Sequence, residues 1–222
     1  MLRAGRILNS GIEKISIKPS RRALKTKFLI PESRISIIYE SFRSALLLKP
    51  QDLLVAIHRA LYPGRRSYAQ IARGLHISVG TAHRAMASAK QAQLVTASGD
   101  ANRQNLVEFL KGGVRYAFFP IRSGGNVRGV PTAASVPAIS EHLAGGAVVV
   151  WPDPSGRVRG EGLEPLYPTV PRIAEEDPLF YLVLAAIDLL RIGTARERGI
   201  ASEMLRYQVF SEHEQAHADR DS

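Results

Sequence analysis

Four histidines, His58, His76, His83 and His142, are the first candidates for metal chemistry, because a neutral imidazole is a common metal ligand. No pair among these four has the HxxxH spacing that sets two rings on one helical face, and none stands beside a carboxylate at ligand spacing. They read as satisfied or surface histidines, and neither a metal nor a cofactor is expected. Glu161 and Glu164, with Glu175, Glu176 and Asp177, could supply carboxylates for general acid–base work. No His, Lys or nucleophile accompanies them in a recognisable arrangement, which favours a solvated loop. The glycine-rich segments 112–113 and 123–126 match neither the P-loop nor the dinucleotide fingerprint, and they read as turns. Trp151 and Tyr167 suit core packing better than a pocket wall. The chain has no cysteine, which excludes disulfides, thiol nucleophiles and Cys-ligated metals. An enzyme is not expected.

A different chemistry, the binding of a polyanion, is suggested by charge. The formal net charge is +10 over 222 residues. Residues 1–48 hold 10 Lys/Arg against 3 acids, net +7, and residues 49–128 hold 12 against 3, net +9. Residues 129–222 hold 8 against 14, net −6. Clustered cations bind phosphate backbones by releasing counterions, so the acidic back is expected to point away from any nucleic acid. Hydrophobic residues at 45% and charged residues at 23% are ordinary globular values. The longest apolar run, nine residues at 179–187, is well short of the ~20 that span a bilayer. No signal-peptide pattern opens the chain, and a soluble cytoplasmic protein is expected.

The elements follow from periodicity and punctuation. Residues 1–31 are basic and lack a sustained period. Their composition fits a transit peptide, a basic DNA-binding arm or translation begun upstream of the native start. A disordered extension is the expectation. Residues 32–48 carry helical spacing through Ile35, Ile38, Phe42, Ala45 and Leu46. A second helix runs over 53–61 and ends at Pro63-Gly64. Ser67-Tyr68-Ala69-Gln70 fits a capping box opening a short helix to Leu75, and Ser78 is a good N-cap for a helix over 79–91. Residues 94–97 and 114–121 read as strands around a helix at 104–111. The Gly/Pro-rich stretch 123–138 reads as a linker or long loop. Strands are expected at 147–151 and 157–162. Asp177 caps a helix with Pro178 at its first position, and Thr194 to Glu197 forms another capping box opening a helix to about 210. The polar last dozen residues are expected to be disordered.

The segment 68–89, YAQIARGLHISVGTAHRAMASA, resembles a bacterial helix-turn-helix. Ala72 is small where the helices cross, Leu75 and Ile77 flank the turn, and Ala82, Met86 and Ala89 point to the core. With a helix before it and a hairpin after it, residues 32–121 resemble winged-helix regulators of the MarR type. Glycine usually stands where this chain has His76, at a site that needs φ > 0; His is among the residues enriched there. What the resemblance implies is a recognition helix at 79–91 whose outward residues are Val79, Gly80, Thr81, His83, Arg84, Ser88 and Lys90. Its N-terminal half would meet base edges, with Arg84 on guanine or phosphate. Ser78 caps that end. Arg65, Arg66, Lys90 and the wing's Arg103 would hold backbone phosphates.

The expected fold is α+β: a winged helix-turn-helix at 32–122, then a smaller α+β region at 123–210 ending in a helical hairpin, and a tail at 211–222. The function this implies is a sequence-specific transcriptional regulator, a repressor binding double-stranded DNA as a homodimer with half-sites about 34 Å apart. A weaker resemblance is carried by LKPQDLLVAIHRALYPG, LVEFLKGGVRYAFFP, GLEPLYPTVP and GTARERGIASEML, which are similar to small bacterial winged-helix proteins. Some proteins of that kind are antitoxins that repress their own operon, and in the abortive-infection type the toxin is a nucleotidyltransferase. This implies a rival function, neutralising a toxin protein through the C-terminal half. An enzyme with a site in 126–175 is a third alternative.

Overall fold

Ten consecutive residues, Asp52 to Leu61, are buried in the first helix of the computed structural model, α1 (Pro50–Leu61). The structure describes residues 48–218 apart from 142, 144 and 145; the basic extension and the helix expected over 32–47 lie outside these. Pro50 opens α1 where a missing N–H costs little, and the Lys49 N–H donates to Asp52 Oδ2 at 2.8 Å. The helix therefore starts at Lys49 to Asp52, three residues before the 53–61 expected. A helix buried on every side must be wrapped. Packed against α1 are α2 (Tyr68–Leu75), α3 (Val79–Gln91), α4 (Arg103–Gly112) and α9 (Ala195–Ala218).

The protein is α+β, with a small three-stranded sheet. Strand β1 (Arg122–Pro131) pairs antiparallel with β2 (Val149–Pro152) and with β3 (Val158–Leu163), and β2 meets β3 in parallel, closing the three on themselves. The stretch 123–138 is thus no linker: its first part is the strand common to both antiparallel pairings. Glycine-rich composition suggests a loop, but closure this tight demands glycine. A Cβ at Gly129 would lie 2.0 Å from the Trp151 carbonyl oxygen, and one at Gly160 would lie 2.4 Å from that of Val148.

A second correction concerns 114–121. Val114–Ala117 is a short helix, α5, and no strand forms there, so the hairpin expected of a wing is missing. Val114 is buried, but Tyr116, Phe119 and Ile121 are strongly exposed, so the apolar residues lack the one-sided burial that would define a strand. At 94–97 the strand reduces to one bridge, Val95 to Ala101, across the 96–100 turn. After a short 3₁₀ turn (Ala133–Ser135) and α6 (Pro137–Ser140), the chain returns through the sheet to α7 (Val170–Glu176), α8 (Pro178–Ile192) and α9. Both expected caps form. The Phe180 N–H donates to Asp177 Oδ1 at 2.9 Å, and the Thr194 N–H donates to Glu197 Oε2 at 2.6 Å. Helix α9 continues to Ala218, past the end near 210 that the polar tail suggests.

One hydrophobic cluster runs from Leu53 to Leu205. In it, Asp188 of α8, 1% exposed, accepts from Arg191 Nη1 at 2.5 Å, Thr132 Oγ1 at 2.8 Å and Trp151 Nε1 at 2.5 Å. Burial pushes its carboxyl pKa up, and these donors oppose that by holding the ionised form. Arg191 also donates to the Phe118 carbonyl at 2.7 Å, so one ion pair joins α8, β2, the end of β1 and the loop after α5.

Candidate nucleic-acid interface

Helices α2 and α3 pack against each other and against α1, burying Ile71, Ala72, Leu75, Ala82, Ala85, Met86 and Ala89. Alanines at 72, 82, 85 and 89 let the backbones approach closely. The capping box opening α2 is made in full: Gln70 N–H donates to Ser67 Oγ at 3.3 Å and Ser67 N–H to Gln70 Oε1 at 2.8 Å. His76 turns the chain in the left-handed region, φ 51° and ψ 42°, where the sequence requires a positive φ. Ser78 then caps α3, accepting from the Thr81 N–H at 3.0 Å.

These helices bring the candidate residues together in two groups. At the N-terminal end of α3, Val79, Gly80, His83 and Arg84 are exposed, and Thr81 is half-buried. The Arg84 guanidinium folds back along the helix, donating to Thr81 Oγ1 at 3.3 Å and standing beside Gly80. The Ser78 and Thr81 hydroxyls are 2.9 Å apart, so both are engaged locally. The second group surrounds a cleft of about 500 Å³, lined among others by Arg65, Arg66, Tyr68, Lys90, Ser98 and Gly99. The Tyr68 ring meets that of His83 edge-on, with centroids 4.9 Å apart, which links the cleft to α3. Ser88 is half-buried on α3 beyond both groups.

Arg103 stands apart. It is the first residue of α4 and not a wing residue, and it donates to the Ala60 carbonyl at 2.7 Å, closing the end of α1. The 96–100 turn is held by hydrogen bonds from both sides. Lys90 Nζ donates to the Ala97 carbonyl at 2.9 Å, and the Thr96 N–H donates to the Asp100 carbonyl at 2.8 Å. The buried Arg59 donates to the Gly99 and Gly64 carbonyls at 2.7 Å each and pairs with Asp100 at 3.2 Å. Sequence reading passes over Arg59, because a cation inside an apolar helix carries no sign of its distant carbonyl partners. It also passes over Arg73, which is exposed on α2 seven residues after Arg66 and was legible from helical spacing alone.

The acidic C-terminal region does not stand clear of this motif. Thr169 Oγ1 donates to the Leu75 carbonyl at 2.9 Å, and Glu176 lies 3.0 Å from His76 Nε2. A second cleft, about 480 Å³, has His58, Tyr62, Arg66 and Arg73 on one side and Glu176 and Asp177 on the other. Arg66 rests 5.0 Å from the Tyr62 ring centroid, and the Tyr62 hydroxyl donates to Asp177 Oδ2. His58, 3% exposed, is held neutral. Burial, reinforced by Arg66 and Arg59, lowers its pKa from 6.5 to about 4.

His213 and His217, in the string His-Glu-Gln-Ala-His, stand four residues apart in α9. Among the described residues there is no group of three His, Cys, Asp or Glu placed to hold a metal ion. No described helix is long and apolar enough to cross a membrane. The chain matches no protein-family model, no curated protein sequence and no solved structure.

Proposed function

We propose that this protein is a sequence-specific regulator of transcription, a cytoplasmic repressor that binds double-stranded DNA as a homodimer. The α3 N-terminus enters the major groove, and Arg65, Arg66 and Lys90 around the neighbouring cleft hold the phosphate backbone. The observation that carries this reading is the charge and shape of the helix pair. Residues 62–99 contain five Lys/Arg and no Asp or Glu, and the tight α2–α3 crossing leaves Val79, Gly80 and Arg84 outward at a capped helix start. A helix N-terminus adds favourable potential for phosphate. The turn at 96–100 takes the place of a wing and braces Lys90 beside the cleft. Tight DNA occupancy near a promoter would block polymerase.

The test is fluorescence anisotropy of the full chain on DNA from upstream of its own gene, with scrambled DNA of equal length, across a salt series. Preferential binding to the upstream DNA that survives moderate salt supports the proposal. Equal binding to both that collapses with salt refutes it, because that is the signature of charge alone.

A second reading is an antitoxin that neutralises its partner through the C-terminal half; the exposed Tyr116, Phe119 and Ile121, which lead into that half, are apolar side chains of the kind protein contacts use. Its partner would be a toxin, for which the abortive-infection resemblance implies a nucleotidyltransferase. It predicts a stoichiometric complex with that enzyme that Phe119→Ser dissolves without changing DNA affinity. An unchanged complex counts against it.

A further inference from the structure

The DNA-binding reading leaves open which bases α3 would read, and the local hydrogen bonds narrow the choice. Ser78 and Thr81 are occupied by capping and by each other. The His83 ring packs edge-on against Tyr68, and the Lys90 ammonium is tied to the Ala97 carbonyl. At the end of the helix that would enter the groove, two outward side chains remain. Val79, at the first position of α3, is 52% exposed, while the helix's other apolar side chains on the packed face, Ala82, Ala85, Met86 and Ala89, are all buried. Arg84 reaches back to the same end, its Nη1 3.5 Å from where a Gly80 Cβ would stand.

We propose, resting on the DNA-binding reading, that this end of α3 recognises a thymine and a guanine in adjacent base pairs, with Val79 on the thymine C5-methyl and Arg84 on guanine O6 and N7. The chemistry is specific. Thymine alone offers a methyl group in the major groove, where an exposed branched aliphatic side chain finds an apolar partner. Guanine presents two acceptors that match the two N–H groups of a guanidinium fork. Thr81 orients that fork, because its hydroxyl accepts from Arg84 Nη2 and leaves the remaining N–H groups for the base. Gly80 between them carries no side chain, so the backbone can approach the base edges. With the Ser78 and Thr81 hydroxyls engaged locally, each half-site holds a short core of this kind, and affinity elsewhere comes from phosphate contacts, Lys90 among them.

The experiment uses the full chain and a duplex obtained by selection from random DNA. Each thymine of the enriched duplex is replaced in turn by uracil, which lacks only the methyl group, and each guanine by 7-deazaguanine, which lacks N7. One uracil position should weaken binding about fourfold, the worth of one buried methyl. Val79→Ala should weaken binding to the thymine duplex by a similar factor and lose its sensitivity to that uracil. Arg84→Ala should lose its sensitivity to the neighbouring 7-deazaguanine. If every uracil duplex binds as well as its thymine parent, or Val79→Ala still senses the methyl, the assignment to Val79 is wrong while DNA binding stands. If selection enriches no sequence at all, the DNA-binding reading itself falls. Val79 is exposed, so its alanine variant is expected to fold, and circular dichroism checks this.

Discussion

Replacing His58 by Gln should flatten the acid limb of the protein's stability curve. His58 lies within α1, its ring 5.2 Å from that of Tyr62 and 6.4 Å from that of Phe180, and a Cβ at Gly74 of α2 would stand 3.2 Å from its Nε2. The native pKa, about 4, is below the 6.5 of the unfolded chain, so the unfolded state binds the proton first. The stability this group confers is therefore present in full above the unfolded value and is lost as pH falls from about 6.5 toward about 4. At about 1.4 kcal/mol per unit, the whole shift corresponds to about 3 kcal/mol. About 2 kcal/mol of that falls between about pH 7 and about pH 5, where ordinary carboxylates still hold most of their charge. Urea unfolding followed by far-UV circular dichroism at those two pH values, on the native chain and on His58→Gln, isolates the histidine as a difference of slopes. The native chain should lose about 2 kcal/mol more than the variant, a midpoint difference of roughly 1 M urea. Parallel losses in the two proteins would show that His58 titrates normally in the folded state, and that burial does not hold it neutral.

Four further outcomes are expected. Asp188→Ala leaves the Arg191 guanidinium buried without its carboxylate, and should cost about 3–5 kcal/mol in denaturant unfolding; Trp151, the single tryptophan and a donor to Asp188, reports the change in its fluorescence. Gly80→Ala should leave stability unchanged or raise it by up to about 1 kcal/mol, because a Cβ there meets only ordinary contacts, while weakening DNA binding measured by anisotropy. Lys90→Ala should lower the slope of log affinity against log salt by about 1, whereas Arg103→Ala, whose guanidinium closes the end of α1, should leave that slope unchanged and lower thermal stability instead. Gly129→Ala should prevent the sheet from closing and yield protein without a cooperative near-UV transition, since a Cβ there would lie 2.0 Å from a carbonyl oxygen.

The sequence by itself determined the helix pair at the centre of the proposed site. Its marks are local: Ser67 with Gln70, Ser78 before Thr81, and His76 at the position needing a left-handed backbone all act within four residues of chain. The same holds for Asp177 before Pro178 and for Thr194 with Glu197. What the sequence obscured depends on partners far along the chain. Strand β1 was hidden because its pairing partners in β2 and β3 lie some 20 to 40 residues away and Gly129 answers to the Trp151 backbone, and glycine composition without that context reads as a loop. Residues 114–121 have strand-like side chains, but Val114–Ala117 coils into a helix, Tyr116 and Phe119 are left exposed, and only Ile121, whose carbonyl accepts from the Glu164 N–H at 2.9 Å, reaches the edge of the sheet. Arg103 shows the same limit within the site. Its charge and place suggest a phosphate contact, and the fold turns it onto the Ala60 carbonyl, 43 residues earlier. Tertiary structure also decided that the acidic half braces the turn of the helix pair, through Thr169 and Glu176. Caps and turns are settled by hydrogen bonds between near neighbours and can be read residue by residue. Long-range pairing and the final direction of a long charged side chain depend on which distant backbone groups are left to be satisfied, and only the folded chain brings those groups within reach.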